Sequence, residues 1–194
     1  MPGPQADLFS KWPAGPEGLA YQPQFISPSE EAALVTWAGE LELKPFVFHG
    51  YLGLRRVKSF GWRYDYGVQA VQPAEGIPEA LLRLRARAAD LAGLEPGQLT
   101  QALVTEYRPG AGIGWHRDRP QFAEVIGVSL LSPCVLRFRR RRGESWERAN
   151  LKAAPRSAYL LDGPVRNEWE HSIAAVQELR YSITFRRLIK PPLP

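Results

Sequence analysis

The stretch Arg180-Tyr-Ser-Ile-Thr-Phe-Arg186 decides how this chain is read. Residues two apart on a strand share a face. Tyr181, Ile183 and Phe185 therefore form one apolar row, and Arg180, Ser182, Thr184 and Arg186 form the other. The apolar row packs a core. The polar row has two readings. Facing solvent it is ordinary; facing inward it places two arginines where charge is costly unless anions pair with it. The strand begins nine residues after His171, which lies on another segment with strand character. That placement lets the polar row turn toward the histidine, with a small dicarboxylate as the natural partner of the arginines.

Outward from this strand the chain is a series of short β-branched or aromatic segments at 102–107, 124–131, 134–140, 157–161, 169–176 and 180–188, with earlier ones at 44–51 and 59–66. Turn signals such as Arg108-Pro-Gly-Ala-Gly, Leu131-Ser-Pro and Asp162-Gly-Pro separate them. Two helices precede most of the strands. Ser27-Pro-Ser-Glu30 is a capping box that opens a helix running to about residue 41. Leu81, Leu84, Ala88 and Leu91 recur at helical spacing over 78–91, with arginines between them. Residues 1–24 are rich in Pro and Gly, with Phe9, Trp12 and Tyr21 scattered among them, and read as an extended arm; residues 25–194 read as one domain. The expected fold is mainly β with buttressing helices (α+β), a β-sandwich or jelly roll.

Composition agrees with a single globular domain: 194 residues, 44% apolar and 23% charged. The charge balance is +5, from 25 Lys+Arg against 20 Asp+Glu. Lys11, Lys44, Lys58, Lys152 and Lys190 are the lysines, so the excess is carried by arginine. An arginine excess suits phosphate or carboxylate partners, and equally reflects a GC-rich coding sequence. One cysteine, Cys134, excludes a disulfide framework and a Cys-only zinc site. No apolar run approaches the roughly 18 residues of a membrane span, and the first residues lack a secretory pattern. A cytoplasmic monomer with no membrane partner is expected.

The histidines are His49, His116 and His171. In His116-Arg-Asp118 the imidazole and the carboxylate point to one side of extended chain. A further histidine would complete two His and one carboxylate, the facial set that leaves positions open on non-haem Fe(II). His171, 53 residues past Asp118, is the better candidate, with His49 as the substitute. A solvated His beside an Asp is the ordinary alternative. Tyr107, ahead of the Gly-rich turn, offers a hydroxyl donor to the same dicarboxylate that the arginines would bind.

Three stretches occur in order: Tyr107-Arg-Pro-Gly-Ala-Gly-Ile-Gly-Trp-His116-Arg-Asp118, Arg166-Asn-Glu-Trp-Glu-His171 and Arg180-Tyr-Ser-Ile-Thr-Phe-Arg186. Together they resemble the AlkB family of Fe(II)- and 2-oxoglutarate-dependent dioxygenases, over about residues 25–188. The resemblance implies a double-stranded β-helix with Fe(II) on His116, Asp118 and His171. It also implies that Tyr107 and Arg180 hold the distal carboxylate of 2-oxoglutarate, that Arg186 lies near its carboxylate-and-keto end, and that Ser182 and Thr105 belong to the same subsite. The implied chemistry uses O2 to decarboxylate 2-oxoglutarate to succinate and hydroxylate an N-alkyl group, whose hemiaminal falls apart as aldehyde. Three positions depart from the family pattern. Thr105 stands where many members have Asn, a change worth about 1 kcal/mol of one neutral hydrogen bond. Pro120 stands where the founding bacterial repair enzyme has a base-contacting Asp, and His171-Ser-Ile replaces His-Gly-Ile. The spacing Gly163, Arg166, Trp169, His171 is nearest the branch that includes the animal tRNA wobble-uridine hydroxylase.

On the substrate side, Arg137, Arg139 and Arg141 share one face of the basic run 137–142, with Phe138 opposite. They line a phosphate-binding groove if that face borders the site, or a solvated hairpin end if it does not. Trp62, Tyr64 and Tyr66 lie where the family has its nucleotide-recognition lid, near 44–70. By parity they share a face, which stacks an extruded base or fills a core. Arg166 is a further candidate substrate contact. The expected activity is oxidative dealkylation of N-methylated bases in DNA or RNA. The alternatives are the same chemistry on tRNA or protein side chains, and a non-catalytic nucleic-acid-binding jelly roll.

Overall fold

The computed structural model describes residues 15–48 and 51–189. Its elements run β1 (Leu19–Gln22), α1 (Pro28–Gly39), β2 (Lys44–Phe48), β3 (Tyr51–Phe60), β4 (Trp62–Asp65), β5 (Ala70–Pro73), α2 (Glu79–Ala92), β6 (Gln101–Tyr107), β7 (Ile113–His116), β8 (Phe122–Leu130), β9 (Cys134–Arg142), β10 (Ser145–Ala153), β11 (Ala158–Leu161), α3 (Gly163–Asn167), β12 (Glu170–Ile173) and β13 (Arg180–Leu188). A seven-stranded sheet is ordered β1-β11-β8-β13-β6-β3-β2, a four-stranded sheet β10-β9-β12-β7, and a two-stranded ribbon β4-β5. The pairings are antiparallel. The two larger sheets pack face to face in the double-stranded β-helix that the sequence led us to expect.

Two apolar layers hold this arrangement. One lies between the helices and the large sheet, where Leu81, Leu84 and Ala88 of α2 meet Val104, Ile126, Ile183 and Phe185. The other lies between the sheets, where Tyr107, Val125, Tyr159 and Leu161 meet Leu136, Phe138 and Ile173. Each fully buried aliphatic or aromatic side chain contributes about 1.5–3 kcal/mol of transfer free energy. The helices begin and end for local reasons. The Ser27 hydroxyl accepts from the Glu30 amide and the Glu30 carboxylate accepts from the Ser27 amide. Gly93 ends α2 in the left-handed conformation, φ 65°.

Several boundaries differ from the sequence expectation. Part of the supposed arm is packed: β1 joins the edge of the large sheet against β11, Tyr21 is buried, and its hydroxyl accepts from the Ala154 amide. Residues 1–14 lie outside the described residues. The segment expected at 59–66 is two strands, because Gly61 turns the chain at φ 72° with the Thr100 carbonyl where a β-carbon would sit. β10 was missed because it is an edge strand with charges on both faces, so no alternation marks it.

Candidate functional site

β7 and β12 are neighbours in the small sheet, and His116 and His171 are directly opposed across the ladder. Opposed residues share a face, and the two imidazole centroids lie 4.3 Å apart. Asp118 follows β7, with Oδ1 3.7 Å from His116 Nε2. One ligand atom from each of the three side chains falls within 4.8 Å of the others. His116 Nδ1 lies 2.9 Å from the Gly114 carbonyl, so Nδ1–H donates there and Nε2 keeps its lone pair for a ligand role. His49, the substitute ligand, lies outside the described residues.

The protonation states suit a metal. Burial brings the His171 imidazole down to about 4, leaving it neutral at ordinary pH. For Asp118, burial works to raise the carboxyl, but the Arg186 guanidinium outweighs it and holds the group well below its usual range. Arg186 Nε donates to Asp118 Oδ2 at 3.4 Å and a terminal nitrogen donates to Gln101 Oε1 at 3.2 Å.

The triad opens into a cavity of about 1050 Å³ between the sheets, walled by Thr105 and Tyr107 of β6, Tyr159 of β11, and Thr184 and Arg186 of β13. The polar row of β13 thus faces inward. Arg180, at the deep end of that row, has no exposed surface. Its Nε donates to Ser129 Oγ at 3.1 Å and its guanidinium lies 4.8 Å from the Tyr107 ring. Both terminal nitrogens are buried with no hydrogen-bond partner. Ser182 and Thr105, both buried, are opposed across β13 and β6. A buried guanidinium with its terminal fork unpaired fits a carboxylate.

The family model described as the 2OG-Fe(II) oxygenase superfamily matches residues 18–186. The chain belongs to that superfamily. Within it the chain is AlkB-like. It is 26% identical over 186 residues to the "Alkylated DNA repair protein ALKBH8 homolog" of Arabidopsis thaliana, covering 80% of this chain and 50% of that protein. It is 29% identical over 169 residues to the mouse "tRNA (carboxymethyluridine(34)-5-O)-methyltransferase ALKBH8", covering 81% of this chain and 24% of that one. The chain thus spans half or less of the length of these curated relatives. Among solved structures, OsALKBH1 superposes at TM-score 0.67 and 15% identity over 88% of this chain and 96% of the other. A Pseudomonas putida prolyl-4-hydroxylase does so at 0.61 and 15%, over 88% and 92%. At these identities the structures speak for the fold alone.

This 2OG-Fe(II) oxygenase carries residues that fit its cofactors. Two imidazole nitrogens and a carboxylate oxygen form the donor set for Fe(II), and the unpaired Arg180 fork beside the Tyr107 ring fits one end of a dicarboxylate. The substrate-side expectations fare unevenly. Tyr64 and Tyr66 line the cavity, 5.0 Å apart and edge-on. Trp62 does not; it sits at the root of the β4-β5 ribbon, its carbonyl accepting from Gln101 Nε2. Arg166 does not line this cavity. It is buried and donates to the carbonyls of Arg119, Phe122 and Ala123, tying down the segment after Asp118.

Arg137, Arg139 and Arg141 do not line the cavity either. Glu170 and Ser172 oppose Arg139 and Arg137, and strand alternation puts this whole row on the side of the small sheet away from His171. Arg119 and Phe46 are cavity residues that the sequence reading missed. The Arg119 guanidinium lies 4.8 Å from the Tyr64 ring and 5.0 Å from the Tyr66 ring, and Phe46 meets Tyr66 edge-on at 5.6 Å. The signal for Arg119 was its place one residue past Asp118.

Proposed function

We propose that this AlkB-like oxygenase oxidatively dealkylates N-methylated bases in DNA or RNA. The observation that carries the reading is an aromatic pair in the wall of the triad's cavity: Tyr64 and Tyr66 line the same cavity as His116, Asp118 and His171, and the Arg119 guanidinium lies 4.8 Å and 5.0 Å from their rings. Adenine methylated at N1, or cytosine methylated at N3, is also a flat cation, and cations over tyrosine faces gain about 0.5–2 kcal/mol.

Bound Fe(II) and 2-oxoglutarate supply the oxidising chemistry with O2, the cosubstrate leaving as succinate and CO2. The chain's residues hold and orient. His116 Nε2, Asp118 and His171 would hold the metal, while Arg186 keeps Asp118 anionic. Arg180 and Tyr107 receive the distal carboxylate, with Ser182 and Thr105 lending hydroxyls nearby. The buried walls of Tyr159 and Leu161 exclude water from that end. Pro120 offers no side-chain acceptor to the base, so stacking carries more of the recognition here.

The test is aldehyde release from methylated oligonucleotides. Tyr64→Ala and Tyr66→Ala should each raise KM for the oligonucleotide by about tenfold, in keeping with about 1–3 kcal/mol per stacked base, while KM for 2-oxoglutarate stays put. Wild-type enzyme that makes succinate but no aldehyde on any methylated base contradicts the proposal. Similarity to the mouse tRNA methyltransferase supports a second reading, hydroxylation of a tRNA base, which yields a product one oxygen heavier and no aldehyde. Absence of succinate altogether points to the non-catalytic binding module.

A further inference from the structure

Away from the cavity, the outer face of the small sheet carries a second concentration of chemistry. The guanidinium of Arg139 lies between two indoles, 4.4 Å from the Trp115 ring and 4.4 Å from the Trp146 ring. Arg137 adds a rung over Trp115 at 5.2 Å, and Arg141 adds one over Trp146 at 5.1 Å. The result is a continuous stack of alternating Arg and Trp across β9, β7 and β10. Arg148 and Lys152, both exposed, extend the same face along β10, where Arg148 opposes Arg139. Among the described residues, the carboxylate paired with these cations on the face is Glu170, 2.6 Å from Arg139 Nε.

We propose that this face docks the sugar–phosphate backbone of a polynucleotide whose target base enters the cavity, an inference that rests on the base-dealkylation reading above. Three features support the partner. Stacking fixes each guanidinium plane and leaves its N–H edge for bidentate contact with phosphate. Arg137 and Arg139 spend Nε within the sheet, on Ser172 and Glu170, and their terminal nitrogens make no hydrogen bond among the described residues. Alternate residues along β9 repeat at about 6.8 Å, a step comparable with successive phosphates of one strand. The face is also continuous with the site, because Trp115 carries the stack, borders the cavity and immediately precedes His116.

Anisotropy of a labelled, unmodified single-stranded oligonucleotide of about 24 residues, against a trimer and over a range of salt, tests the docking face in the full chain. Arg141→Gln/Arg148→Gln/Lys152→Gln should weaken the long oligonucleotide at least tenfold near 0.15 M salt and reduce the log–log salt slope by about two, at ~0.7 for each phosphate no longer neutralised. Trimer binding should stay unchanged. Arg83→Gln, on the exposed side of α2, removes one positive charge away from this face and should leave both unchanged. Trp146→Leu, which keeps every charge but frees two guanidinium groups, should weaken the long oligonucleotide a few-fold. A triple variant that keeps wild-type affinity and slope, or loses no more than Arg83→Gln, overturns the proposal. Length-dependent binding through this face without aldehyde release from any methylated base would leave the surface standing and remove the dealkylation reading; aldehyde release with no effect of the triple variant does the reverse.

Discussion

Arg180 is fully buried, with no carboxylate paired to it among the described residues. A buried ion without a counterion costs several kcal/mol, and a well-packed apolar replacement is often stabilising by about 1–4 kcal/mol. Arg180→Met should therefore raise the melting temperature of the ligand-free protein and abolish the further rise that 2-oxoglutarate gives to wild type. A lowered Tm, or a surviving response to 2-oxoglutarate, would show that the fork is satisfied elsewhere. The ligand residues should behave differently from one another. His116→Ala removes a metal donor and should cost iron-dependent succinate formation with little change in apoprotein stability. Asp118→Ala removes the anion beside Arg186 as well, and thermal melts should show an added loss of about 3 kcal/mol. The His-x-Asp pair was legible because strand parity is a local property. The Arg186–Asp118 pair was not, since residues 68 apart in the chain meet only through the fold. Arg166 is the converse case: nearness to His171 in sequence says nothing about the three carbonyls its side chain reaches.

At the scale of elements, β13 is decisive because it lies between β8 and β6 in the large sheet, and its residues from Arg180 to Phe185 are buried on both faces. Its alternation was readable in sequence, as were the capping box of α1 and the period of α2. Strands without alternation, such as β10, were not. β8 and β11 meet where Gly127 opposes Tyr159, and a β-carbon at 127 would fall within the Tyr159 ring. Gly127→Ala should displace Tyr159 from the cavity wall, so that KM for 2-oxoglutarate rises while iron affinity holds; unchanged KM would mean the ring has room to move. β8 and β13 are also joined by Glu124, whose carboxylate accepts from Arg187, one bond being 2.7 Å. That bond lowers the Glu124 carboxyl below its ordinary 4.5, against the opposing effect of burial. The depressed value means its contribution is whole above 4.5 and fades as pH falls through the folded value. Glu124→Gln should lower stability at neutral pH and flatten the acid limb of the stability curve, read by chemical denaturation across pH.

For the molecule as a whole, the arginine excess divides by face. Arg180 and Arg186 turn into the space between the sheets, Arg166 is spent on backbone carbonyls, and Arg137, Arg139 and Arg141 stack with tryptophan on the outside. The sequence could count these residues but not sort them, because sorting needs the sheet order that brings β7, β9, β10 and β12 side by side. What it did disclose was the set of residues that converge on one cavity from four strands and the segment after β7. The most direct test loads the protein anaerobically with Fe(II) and 2-oxoglutarate, admits O2 in the presence of methylated DNA, RNA and tRNA pools, and follows succinate, aldehyde and base masses together. The account predicts one aldehyde per succinate and loss of a methyl group from N1 of adenine or N3 of cytosine, both abolished in Asp118→Ala. Succinate formed at the same rate with and without nucleic acid, and no methylated base altered in any pool, would contradict it.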